Sequence, residues 1–192
     1  RAARSRHQRV GGDLTISGGY VMAYSTGNDG IDANGNCYIK GGVVYAIGAN
    51  SPEVAIDANS EEQKQLYVEG GTLVAIGGLE SGASLTQTCY SASSLSKGTW
   101  YALYSGSDAA LVFKTPSSLS ASTMVVSTSG TTSLKSAVTT SGGSSILNSY
   151  VLSGATVSGG SSVTLSSYSG GNAGGGPGGG GGNPGGGGPG GW

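Results

Sequence analysis

Two pentapeptides, Gly30-Ile31-Asp32-Ala33-Asn34 and Ala55-Ile56-Asp57-Ala58-Asn59, share the order apolar, acid, alanine, asparagine. On neighbouring strands, about 4.8 Å apart, Asp32 and Asp57 would stand side by side, and two ionised carboxylates at that separation repel and hold each other's protons. A hard cation between them turns repulsion into attraction. Calcium suits such a place because it accepts about six to eight oxygens from carboxylates, amides and carbonyls. Asn28, Asn34, Asn59 and Glu53 supply further oxygens close by. The expected chemistry is a Ca²⁺ site centred on Asp29, Asp32 and Asp57, with Asn28, Asn34 and Asn59 as additional ligands. The competing arrangement has the carboxylates splayed into solvent or bonded to local backbone, with Asn34 and Asn59 forming a ladder.

Other chemistry has little to stand on. His7 is the single histidine and lies in an arginine-rich start, so histidine triads and histidine-metal sites lack their central residue. Cys37 and Cys89 have no metal spacing, and Cys37 falls where an equivalent position has Leu, which reads as a small buried hydrophobe. A lyase acting on an acidic sugar needs a base, for which Lys40 and Lys64 are the candidates. The pair Asp29 and Asp32 is weak support for hydrolysis. No catalytic residue is assigned.

The elements that position the acids emerge from an internal repeat. Leu14-Thr15-Ile16-Ser17-Gly18-Gly19-Tyr20-Val21-Met22-Ala23-Tyr24 aligns without gaps on Cys37 to Ile47 and on Leu66 to Ile76, at offsets of 23 and 29 residues. Each copy is two alternating runs rich in Val, Ile and Tyr joined by Gly-Gly, which reads as two short strands around a tight corner. Units that cannot bury their own apolar face must stack. The expected fold is all-β, a parallel β-helix or solenoid of about three or four coils. Alternation sends the columns Leu14/Cys37/Leu66, Ile16/Ile39/Val68, Val21/Val44/Leu73 and Ala23/Ala46/Ala75 inward. Tyr20, Tyr24 and Tyr45 lie on the opposite, outward face, where aromatic rings either stack on sugars or pack beneath another layer.

Beyond about Ser91 the texture becomes Ser/Thr-rich. Short strands are expected at Thr99 to Tyr104, Ala109 to Lys114, Thr123 to Ser127, Ser149 to Leu152 and Ser162 to Leu165. The turn Ser105-Gly106-Ser107-Asp108 makes this part antiparallel, a cap for an open solenoid end. From 169 to 192 glycine and proline dominate, and a flexible tail is expected. Thus residues 1–10 form an unassigned basic start, 11–95 the coils, 96–168 the Ser/Thr-rich module and 169–192 the tail.

Composition narrows the function classes. Of 192 residues 39 are Gly and only 10% are charged, with a net charge of −1. Outside the arginine-rich start the chain is mildly acidic, which argues against nucleic acid as partner. No apolar run approaches the ~20 residues of a membrane-spanning helix. The two cysteines do not define a compartment.

The runs Leu14 to Val21, Ser25-Thr26-Gly27-Asn28-Asp29-Gly30-Ile31-Asp32-Ala33-Asn34-Gly35 and Gly70 to Gly78 resemble the secreted bacterial carbohydrate-binding-domain proteins with a right-handed, pectate-lyase-like parallel β-helix. The resemblance spans roughly Gly11 to Tyr168. It implies an extracellular or cell-surface, non-catalytic protein that binds cellulose-like or acidic plant polysaccharides, with calcium held by Asp29, Asp32 and Asp57. Family members carry further coils ahead of the stretch that begins here, so an uncovered first coil is expected. Two other classes stay open, a calcium-dependent pectate-type lyase and a cell-surface structural or adhesion protein.

Overall fold

The computed structural model describes residues 12–171. The expected basic start and nearly all of the expected tail lie outside the described residues. The repeat forms β1 (Leu14–Tyr24), β2 (Ile31–Ala33), β3 (Cys37–Ile47), β4 (Ile56–Ala58), β5 (Leu66–Val68), β6 (Thr72–Ile76) and β7 (Ser84–Leu85). These strands pair in parallel with the register of the repeat: Leu14 opposite Cys37 opposite Leu66, and Val21 opposite Val44 opposite Leu73. β2 and β4 form a separate parallel pair with Asp32 opposite Asp57.

Each row turns at its Gly-Gly. Gly42 and Gly71 have φ of +80° and +87°, a region that L side chains avoid. A Cβ on Gly42 would also lie 2.7 Å from the Gly18 carbonyl carbon, and one on Gly71 would lie 2.8 Å from the Gly42 oxygen. Bare backbone is what lets one corner rest on the next.

The solenoid expectation is overturned at β6. A β-helix would place a further parallel row there, but the neighbour is antiparallel. The remaining strands are β8 (Cys89–Ser93), β9 (Trp100–Ser105), β10 (Asp108–Lys114), β11 (Thr123–Ser127), β12 (Thr132–Ser141), β13 (Ser144–Ile146), β14 (Val151–Ser153), β15 (Thr156–Ser162) and β16 (Ser166–Tyr168). β11 pairs antiparallel with β6, with Val125 opposite Ala75, and then with β8, which pairs with β16. The result is a curled, mixed sheet shaped as a half-barrel. β11 wins the place because Met124, Val125 and Val126 are apolar on both faces and are fully buried there. Val125 joins the core of the curled sheet, while Met124 and Val126 join a second core on its other face.

That second core forms under a six-stranded antiparallel sheet ordered β13-β14-β10-β9-β12-β15. The expected hairpin is present, with Asp108 opposite Ser105. Tyr45, Ile47, Val74 and Ile76, the outward residues of the repeat, are buried against Tyr101, Leu103, Phe113 and Leu134. Full burial of one such side chain contributes about 1.5–3 kcal/mol, so a sheet with four of them on one face is far more stable covered than bare. Strands β11 and β16 belong to the curled sheet although they come late in the chain, so the two sheets are interleaved in sequence.

Candidate functional site

The acids form a ladder of three steps. Ile56 bridges in parallel to Leu79, and the Glu80 N–H donates to the Ile56 carbonyl at 3.0 Å. Glu80 therefore continues the column of Asp32 and Asp57. Burial deepens along it: Asp32 is exposed, Asp57 half-buried and Glu80 only 8% exposed. One Glu80 oxygen, Oε2, accepts the Ala58 N–H at 3.1 Å. The other, Oε1, is buried with no hydrogen-bond partner, a situation that costs about 1–3 kcal/mol for an ordinary polar group and more for a charged one.

Electrostatics follow from this crowding. Burial pushes the Asp57 carboxyl up to about 7, with Glu80, Asp29, Asp32 and Glu61 adding to it. The only ion pair among the described residues, Lys40 with Glu69 at 3.7 Å, lies elsewhere. Glu53 is likewise raised, first by desolvation and then by the charges of Asp29 and Asp32.

The other expected ligands have local duties. Asp29 Oδ1 accepts the Val54 N–H at 2.6 Å, which ties the first row to the second. The Asn28 carbonyl accepts the Ala49 N–H. Asn59 Nδ2 donates to the Asn34 carbonyl at 3.3 Å, a side-chain-to-backbone ladder that holds the bend after β2 and β4 in step. Among the described residues no three His, Cys, Asp or Glu side chains converge into a cage for an ion. The chemistry on offer is two or three stacked carboxylates, to which water and carbonyl oxygens would have to be added.

Of the three expected sugar-contacting tyrosines, Tyr45 is a correction. It is fully buried, its hydroxyl donates to the Lys114 carbonyl at 2.7 Å, and its ring meets Phe113 at 5.3 Å. The overlying sheet occupies the face a sugar would need. Tyr20 and Tyr24 are 55% and 37% exposed, the exposed large hydrophobics of the described chain, and both lie on β1. Tyr24 is anchored, with a hydroxyl contact to Ser118 Oγ at 2.9 Å and an edge-to-face contact with Tyr150.

A further aromatic pair was not singled out by the repeat. Tyr38 and Tyr67, opposite one another on β3 and β5, stack at 4.8 Å with planes 8° apart. Lys40 lies 5.0 Å over the Tyr38 ring while holding Glu69. The signal was available in the outward alternation of Tyr38 and Lys40, as it was for Glu80 in Gly78-Leu79-Glu80, a degenerate third copy of Gly30-Ile31-Asp32. Both cysteines are free and buried, and burial pushes Cys37 up to about 12, which leaves it a packing residue.

Compared with models of protein families, with curated protein sequences and with solved structures, the chain matches none.

Proposed function

We propose that the chain is a non-catalytic polysaccharide-binding protein of the cell exterior, taking cellulose-like or acidic plant glycans, in which Ca²⁺ at the acidic ladder fixes the strand rows. The observation that carries this reading is the placement of Tyr20 and Tyr24, both exposed on the outward face of β1. Aromatic rings with an apolar body and a polar tip are suited to stacking on sugar rings while bonding their hydroxyls. The resemblance to secreted carbohydrate-binding proteins points the same way.

Calcium fits the donor set in one respect above others: Glu80 Oε1 is a buried oxygen lacking a donor, next to a carboxyl that burial and its neighbours hold up. Asp57 and Glu80, side by side on adjacent rows, would hold the ion with water and carbonyl oxygens completing its shell, and it would supply positive charge and take the orphan oxygen as a ligand. Asp29 would stay on the Val54 N–H.

The test is depletion of the protein from solution by immobilised cellulose and polygalacturonate. Wild type should be depleted, and Tyr20→Ala with Tyr24→Ala should stay in the supernatant, with Tyr20→Ala alone melting at the same temperature as wild type. Equal amounts of wild type and double variant in the supernatant would remove the tyrosines from the reading.

A further inference from the structure

Charge is divided between the two layers. Nine of the ten acids precede residue 96, together with Lys40 and Lys64, whereas from 96 to 171 the charged residues are Lys97, Asp108, Lys114 and Lys135. The six-stranded sheet is therefore a basic layer over an acidic one.

The outward side of this sheet follows from its register. Tyr101, Leu103, Leu111, Phe113, Leu134 and Val151 point into the second core, so by alternation the residues between them point away from it. Trp100 lies opposite Lys114, Ala102 opposite both Val112 and Lys135, and Tyr104 opposite Ala109 and Ser133. Ala102 and Val112 are only 0% and 4% exposed, yet they belong to neither core. They form the floor of an outward face whose walls are larger side chains.

Two aromatic rings flank this floor, Trp100 and Tyr104, both partly exposed and about 13 Å apart along β9. Each has a cation. Lys114 Nζ lies 5.9 Å from the Trp100 ring centroid, and Lys135 Nζ lies 5.8 Å from that of Tyr104. These separations are at the outer limit of cation–π attraction, about 6 Å, and neither lysine has an acid partner among the described residues. Lys114 comes from β10 and Lys135 from β12, so the cations flank β9 on opposite sides. Asp108, the one acid of this layer, lies opposite Ser105 in the hairpin turn, on the other side of the pleat from Tyr104.

The pattern defines a kind of ligand. Rings alone would take the face of any sugar, whereas a loosely held cation beside each ring adds a demand for negative charge at each stacking point. Cations on opposite flanks suit a linear chain whose acid groups project to either side. A charged polymer without sugar rings would meet the lysines and leave the aromatic faces unused.

We propose that the outward face of the six-stranded sheet, with Trp100 and Tyr104 as stacking platforms and Lys114 and Lys135 as carboxylate partners, binds a linear uronic-acid glycan lying along β9. The inference rests on the polysaccharide reading for its ligand class and adds a second face that takes acidic chains over neutral ones. The layer that carries Tyr20 and Tyr24 is acidic and repels a polyuronate, so on that polymer retention takes both faces acting together.

Tryptophan fluorescence of the full chain carrying Trp192→Phe, which leaves Trp100 as the single tryptophan, tests it in chelator at low salt. Soluble oligogalacturonate should shift the Trp100 emission saturably, and added salt should weaken the response. Cello-oligosaccharide and inorganic polyphosphate should leave the emission unmoved. Lys114→Gln with Lys135→Gln, which keeps both rings, should weaken oligogalacturonate binding by about tenfold while melting like the parent. Unmoved Trp100 emission, while immobilised polygalacturonate still depletes the protein, overturns this face and leaves the polysaccharide reading standing. No depletion by either polymer together with unmoved emission removes both. An equal response to polyphosphate or to the neutral oligosaccharide, or full affinity in the double glutamine variant, also overturns the proposal.

Discussion

Asp57 and Glu80 stand side by side on adjacent rows, with Glu80 anchored by one oxygen to the Ala58 N–H and left without a donor on the other. Around them are Asp29, Asp32 and Glu61. Like charges this close add to the cost of ionising Asp57, and the fold tolerates the arrangement because the same rows bury Ile31, Ile56 and Leu79 directly behind the acids.

Stability without metal should therefore depend on pH in a definite direction. Asp57 has its carboxyl at about 7 in the folded chain against 3.8 as its ordinary value. Between those values the folded state holds a proton that the unfolded state has lost, so stability falls as pH rises from about 4 to about 7 and then levels. Thermal melting in chelator at stepped pH checks this. Asp57→Asn should flatten that part of the profile.

Glu80 separates charge from hydrogen bonding. Glu80→Gln keeps an acceptor for the Ala58 N–H and removes the charge, so in chelator it should melt at or above the wild-type temperature at neutral pH. Added calcium should raise the melting temperature of wild type and leave that of the variant unmoved. Glu80→Ala strands a buried N–H as well and should cost about 1–3 kcal/mol in denaturant titration.

The corner glycines should differ by row. Gly18→Ala fills open space at a residue outside the positive-φ region, and its effect should be within about 0.5 kcal/mol. Gly42→Ala combines a φ of +80° with a Cβ 2.7 Å from backbone, and should cost well over about 1 kcal/mol. Urea midpoints of the two variants give the comparison.

Tyr45 and Tyr20 should part company as well. Tyr45→Phe leaves the Lys114 carbonyl without its donor in a buried place and should cost about 1 kcal/mol of stability, with glycan depletion unchanged. Tyr20→Ala should do the reverse, since its side chain is more than half exposed.

Much of the local structure was legible because strand pairing follows the repeat residue by residue. Leu14, Cys37 and Leu66 share a column, and Asp32 meets Asp57, because period-two alternation and Gly-Gly corners fix register once one face is buried. The hairpin at Ser105 to Asp108 was legible from its turn residues. What adjoins β6 was not, since the antiparallel insertion of β11 is a contact between distant segments that no local period encodes. β11 itself was expected as Thr123 to Ser127, but the repeat implied a parallel neighbour. The ten residues of β12, Thr132–Ser141, escaped because their alternation is Ser and Thr against sparse Leu134 and Val138. At the site, Asp32 and Asp57 were legible from the matched pentapeptides, whereas Glu80 carried a weaker signal, because Leu-Glu replaces Ile-Asp and no Ala-Asn follows. The fate of Tyr45 turned on which face the second sheet covers, a choice made by tertiary packing.

The most direct measurement is the fraction of protein bound to immobilised polygalacturonate and cellulose in calcium and in chelator, for wild type and for Glu80→Gln, with unsaturated uronate followed in the same supernatants. The expected result is binding that calcium strengthens in wild type, that is calcium-indifferent in Glu80→Gln, and that releases no unsaturated product. Absence of wild-type binding in both conditions, or accumulation of unsaturated uronate, would contradict a non-catalytic, calcium-ordered polysaccharide-binding protein.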